Sequence, residues 1–183
     1  MKKLTILIIY LMVSVFVNAQ TGHLSFLGIP LNGTITAFQE KLARKGVKLD
    51  IEASKHLSIP CKVFDGFFAG EKSRIYVYYN ERTKIVYRGK AVIANKGLNT
   101  AEQKYNDFKK MLGKKYLLMF PEDVDDHLIH DCLFLKGNFE RNDGCIGLYI
   151  DETQGHYDTY DLYIDYKDRI NTELNEKENM EDI

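Results

Sequence analysis

The sequence predicts an α+β domain: two helix-then-strands repeats forming an antiparallel sheet, with helices packed on one face. Three observations predict it. Apolar residues recur at helical spacing in two stretches, Ile35/Phe38/Leu42 and Tyr105/Phe108/Leu112. After each stretch the apolar period changes to two, and turn residues separate the runs. The strand motifs also match each other: at one fixed offset Cys61, Gly66, Phe68, Ile75 and Tyr78 meet Cys132, Gly137, Phe139, Ile146 and Tyr149. The two repeats span about 22–94 and 95–168, within one globular domain over 20–168.

The chain opens as an export signal. Lys2 and Lys3 form a positive start, Leu4 to Val17 is nearly all apolar, and Val17-Asn18-Ala19 offers small or permissive residues before a cut at Gln20. The apolar run is shorter than the ~20 residues of a membrane span. Residues 1–19 are therefore expected to be a signal peptide, with the mature chain periplasmic or secreted and without a membrane span. No cysteine stands at or just after the cut, so no lipid anchor is expected there.

His23 to Leu27 reads as a short strand ended by Gly28 and Pro30, and Asn32-Gly33 as a turn. Thr34 caps the first helix, and Gly46 ends it as a glycine past the last turn does. Strands follow at Lys48–Ile51, Lys62–Ala69, Arg74–Tyr79 and Lys84–Ala94, with Gly70–Ser73 and Asn80–Thr83 as turns. Asn99 or Thr100 caps the second helix, which Gly113 ends. Residues 121–131 form an acidic connection. Strands return at Cys132–Phe139, Cys145–Ile150 and Tyr160–Tyr166, turning at Arg141–Gly144 and Gln154–His156. The helix-ending glycines, Gly46 and Gly113, are closer together than the strand offset, so the duplication requires an insertion. From residue 169 the chain is charged and without aromatics, and a flexible tail is expected over 169–183.

The order of elements carries two resemblances. The Asn18-Ala19-Gln20 signal end, the run Phe26-Leu27-Gly28-Ile29-Pro30-Leu31-Asn32-Gly33-Thr34, the Phe38/Leu42 helix and the Gly-x-Phe strand resemble uncharacterised exported proteins of Bacteroidetes. The tandem helix-plus-sheet layout resembles the β-lactamase-inhibitor-protein and BamE-like folds. The first resemblance implies location and fold, and no activity. The second rests on element order, and the lipid-acceptor cysteine of BamE-type proteins is missing here.

Charge and composition narrow the function. Without Lys2 and Lys3, 23 cationic residues face 26 carboxylates, a net −3. Basic residues are scattered, so no nucleic-acid surface is expected. The chain has no Trp, which removes the strongest sugar-stacking residue. It has no Gly-rich phosphate loop and no Gly-x-Ser-x-Gly elbow, and no cofactor is expected.

Candidate chemistry is sparse. His127 and His130 stand three apart among Asp126 and Asp131, a metal candidate that needs a helical turn to bring the rings together. A polar loop entering a strand is the simpler reading. Cys61, Cys132 and Cys145 permit at most one disulfide; Cys61–Cys132 joins equivalent repeat positions and is the preferred pairing. Buried strand cysteines are the simpler reading.

One pattern points to binding. If Ile75/Val77/Tyr79, Ile146/Leu148/Ile150 and Leu162/Ile164 face the helices, then Tyr76, Tyr78, Tyr149, Tyr163, Asp161 and Asp165 share the opposite face. Tyr offers large contact area and a polar end at low entropic cost. The expectation is a non-enzymatic module that binds a protein or envelope component through this face. The alternatives are a hydrolase inhibitor using a hairpin loop (Gly70–Ser73 or Arg141–Gly144), or a small metal enzyme at His127/His130.

Overall fold

The computed structural model describes residues 22–119, 130–138, 140–153 and 155–181. The expected signal peptide lies outside the described residues, as do Asp126 and His127. A two-strand lead-in, β1 (Ser25–Phe26) and β2 (Ile29–Pro30), precedes helix α1 (Ile35–Arg44), β3 (Lys48–Asp50), the one-turn helix α2 (Ile51–Lys55), β4 (Cys61–Phe68), β5 (Glu71–Tyr79) and β6 (Val86–Lys96). The second half runs α3 (Leu98–Gly113), β7 (Leu117–Met119), β8 (His130–Gly137), β9 (Asn142–Glu152), β10 (Tyr160–Asp168) and α4 (Arg169–Glu181). No helix among the described residues is long and apolar enough to cross a membrane.

Eight strands make one antiparallel sheet in the order β3-β4-β5-β6-β10-β9-β8-β7. Each half is a meander, and the halves meet where β6 pairs with β10. The registers superimpose the halves. Phe64 faces Ile75, as Phe134 faces Ile146; Cys61 faces Tyr78, as Asp131 faces Tyr149. Tyr76 faces Lys90, as Gly147 faces Asp165. Lys90 pairs with Asp165, while Gly89 pairs with Tyr166 and Ala91 with Ile164. Lys90 and Asp165 are thus each other's counterparts, and a pseudo-two-fold axis passes between them.

The helices fit the same correspondence. Buried Ile35, Phe38 and Leu42 of α1 match buried Tyr105, Phe108 and Leu112 of α3. No insertion is needed between helix and strands. The helices instead end differently: α3 includes Gly113, whereas α1 stops at Arg44 and Gly46 follows with φ +79°. Both helices join one core with Phe64, Ile75, Val77, Phe134, Ile146, Leu148, Ile150 and Ile164. The lead-in closes that core. Phe26 is fully buried against Phe68 and Tyr166 and lies over Gly89, where a Cβ would come within 2.7 Å of its ring. Any larger residue at 89 collides with it.

Several expectations are corrected. Helix α3 starts at Leu98 with Gly97 at its cap, not at Asn99 or Thr100, and makes no side-chain cap bond. The β4–β5 turn is Ala69-Gly70, both at positive φ, so Glu71 to Ser73 are already strand. In the β8–β9 hairpin Asn138 Oδ1 accepts from Arg141 N at 2.7 Å, and Asn142–Gly144, expected as turn, are strand. The expected flexible tail contains α4. Asn171 Nδ2 donates to the Leu31 carbonyl at 2.6 Å, Asn80 Nδ2 donates to Asn175 and Glu178, and Arg82 pairs with Glu178. These contacts are polar, so hydropathy carries no sign of them.

The Cys61–Cys132 bridge does not form; all three cysteines are free. The halves correspond with Cys61 over Asp131, not over Cys132, so the two thiols point to opposite faces. β4 and β8 are also five strand spacings apart, roughly 24 Å, against a ~7 Å limit between Cα atoms.

Candidate binding surface

Alternation along each strand sorts the sheet into a helix side and an open side. On the open side Tyr76 and Tyr78 come from β5, Arg88 and Lys90 from β6, Tyr163 and Asp165 from β10, and Gly147 and Tyr149 from β9. Asp161 lies on the same side, opposite Asp151. The six residues that the alternation assigns to one face are therefore brought together.

They do not play equal parts. Arg88 makes a two-pronged contact with Asp165, Nε to Oδ1 at 2.8 Å and Nη2 to Oδ2 at 2.5 Å. Asp165 is only 4% exposed. Burial alone would lower the Arg88 pKa, but the bond and charge of Asp165 outweigh it and raise it. The Arg88 guanidinium lies 4.7 Å from the centre of the Tyr78 ring, which is 8% exposed. Tyr78 and Asp165 thus form the floor of the surface.

Lys90 sits between Tyr76, Tyr78 and Tyr163, with its ammonium 5.4–6.0 Å from the three ring centres. Burial lowers its pKa, partly offset by Asp165. Tyr149 and Tyr163 stack with centroids 4.7 Å apart and an 8° tilt. Burial raises both phenols, Tyr163 to about 12, with Asp165 adding to the effect at Tyr149 and Asp161 at Tyr163. All four tyrosines stay protonated hydrogen-bonding groups at neutral pH.

The weaker candidates are dispersed. His130 is on strand β8, not on a helical turn; its ring stacks on Tyr105 at 5.1 Å, and Nε2 lies 3.1 Å from Glu102 Oε1. Asp131 follows on the opposite face, across from Tyr149. His130 and Asp131 therefore point apart. No group of three metal-binding side chains occurs among the described residues. Burial pushes the Cys61 thiol up to about 12 and also raises Cys132 and Cys145, so none is a ready thiolate. Of the two loops considered for a plug, Glu71–Ser73 lie in β5 and Asn142–Gly144 in β9.

Sequence reasoning missed the cations. Arg88 and Lys90 alternate with Tyr87, Gly89 and Ala91, and that period was the available signal. It also missed a concavity of about 580 Å³ at the β9–β10 hairpin, lined by Asp151, Glu152, Thr153, Gly155, His156, Tyr157, Asp158 and Tyr160. That loop contains no periodic apolar residue to announce it.

Comparison of the chain with family models, with curated proteins and with solved structures gives no match.

Proposed function

We propose that this protein is an exported, non-enzymatic binding module whose open sheet face takes up a protein or cell-envelope component. The observation that carries the reading is the Tyr149–Tyr163 stack, a pair of half-buried aromatic rings on a sheet side that α1 and α3 leave uncovered. Stacked phenols lose little side-chain entropy on binding and offer both an apolar face and hydroxyl groups. The raised thiols support a binding role over thiol chemistry. The export signal supports an envelope partner.

The test is capture from an envelope extract by the wild-type protein and by Tyr149→Ser/Tyr163→Ser, with thermal melts to check folding. A partner held by the first and released by the second supports the reading. Equal capture by both folded proteins contradicts it.

A further inference from the structure

We propose that Lys90 and Lys167, at the centre of the open face, receive a glutamate or aspartate side chain of a protein partner. The inference rests on the open face being a binding surface. It adds the charge of what that surface takes up.

Four charged residues meet where β6 pairs with β10. Lys90 lies across from Asp165, and Arg88 across from Lys167. Residues two apart on a strand share a face, so three cations surround one carboxylate. That carboxylate is already taken: both Asp165 oxygens accept from Arg88, and the residue is 4% exposed. Among the described residues, neither Lys90 nor Lys167 makes an ion pair or a hydrogen bond. Lys167 is exposed and water serves it, whereas Lys90 is half-buried. Its ammonium lies 5.4–6.0 Å from the ring centres of Tyr76, Tyr78 and Tyr163. The rings attract the charge but do not replace an acceptor for its three donors. A cation drawn out of water without a counter-ion is unfavourable, and burial accordingly lowers the Lys90 pKa. An incoming anion would reverse that balance.

The other carboxylates of the face do not supply it. Asp50 is bound to Arg74 at 2.7 Å, and Asp65 faces Arg74 on β4. Asp161 accepts from Thr153, and it and Asp151 lie two residues beyond Tyr163 and Tyr149. Asp131 stands across from Tyr149 on β8, with both stacked rings between it and β6. The centre therefore keeps two positive charges unmatched. The kind of anion follows from the donors. Arg88 has the fork that grips a phosphate, but Asp165 occupies it, which leaves two ammonium groups as point charges. Burial keeps the Tyr76 phenol protonated at neutral pH, a further donor on a ring beside Lys90. A single carboxylate suits such a set. Carried on a protein segment, it can reach Lys90 while the rest of the segment lies on the Tyr149–Tyr163 pair.

The probes are a glycine–glutamate alternating peptide, its glycine–arginine counterpart and inorganic phosphate, each titrated into ¹⁵N-labelled protein. The glutamate peptide is expected to shift the Lys90, Asp165 and Lys167 amide signals, and to bind more weakly as salt rises. Lys90→Met keeps a stem against the tyrosines and removes the charge. It should leave the spectrum folded and weaken binding roughly tenfold. Lys72→Gln changes an exposed lysine on β5, across from Phe67 and away from the centre, and should leave the affinity as it was. Unchanged affinity in Lys90→Met overturns the inference, and so does an equal loss in Lys72→Gln. A response to the arginine peptide alone overturns it with the opposite preference. Phosphate binding more tightly than the glutamate peptide overturns the carboxylate in favour of a phosphate group. If no probe perturbs the centre but Tyr149→Ser/Tyr163→Ser still loses an envelope partner, the anion inference fails and the functional reading stands.

Discussion

The two halves of the sheet agree on one side and disagree on the other. Facing the helices, Phe64, Ile75 and Val77 correspond to Phe134, Ile146 and Leu148, each fully buried or nearly so. Facing outward, Tyr78 keeps a tyrosine counterpart in Tyr149, but Tyr76 corresponds to Gly147, Arg88 to Tyr163 and Lys90 to Asp165. The retained tyrosines keep equivalent neighbours: Tyr78 packs on Arg88, and Tyr149 on Arg88's counterpart, Tyr163, each at 4.7 Å. A shared core constrains both halves equally, because a misfit there costs the whole fold. The open side carries no such shared constraint, and the halves differ there in charge and shape. An asymmetric face on a near-symmetric frame is suited to one partner in one orientation.

The largest effects should come from the shared side. Phe64→Ala and Phe134→Ala are each expected to cost about 3–5 kcal/mol, measured by urea unfolding. Similar losses in one transition would show that the halves share a core; two separate transitions would break the comparison. Across the centre, Arg88→Met leaves Asp165 buried without its partner and should cost about 2–4 kcal/mol. Adding Asp165→Leu should recover most of that loss, and failure to recover would mean the pair does more than cancel its own charges.

Alkaline pH distinguishes the halves more gently. Cys61 on the first half titrates at about 12 in the folded chain, against 9.0 for an ordinary thiol. Its counterpart, Asp131, has no thiol to lose. Between those pH values the unfolded chain has released a proton that the folded chain still holds, so stability falls as pH rises from 9 to 12. Cys61→Val should flatten that part of the profile, and an unchanged slope would assign the loss to the tyrosines and to Cys132 and Cys145, whose thiols burial also raises. The smallest effect is expected at Gly147: Gly147→Ala should leave stability unchanged or raise it by about 0.5 kcal/mol. A marked loss in thermal melting would show that the fold requires the glycine.

The core and both long helices were legible because period and burial follow from the same side chains: Ile35, Phe38 and Leu42 repeat at helical spacing and face inward. The open-face tyrosines were legible for the same reason, as the complement of that pattern. The one-turn helix α2 carries no buried residue, so period cannot announce it. Helix α4 is held by Asn80, Arg82, Asn171 and Asn175, and polar docking depends on partners distant in sequence. The identity at Cys61 and Cys132 suggested a bridge, yet a one-residue difference in register sends the two to opposite faces. Asp165 looked like an open-face ligand because alternation gives direction and not burial; its partner, Arg88, is far along the chain.

The most direct test places a photo-reactive benzoylphenylalanine at Tyr163 on the open side and, separately, at exposed Met111 on α3, then irradiates the protein in the cell envelope. The account predicts a discrete cross-linked partner from position 163 and none from position 111. A partner captured from position 111 and absent from position 163 would place function on the helix side and contradict it.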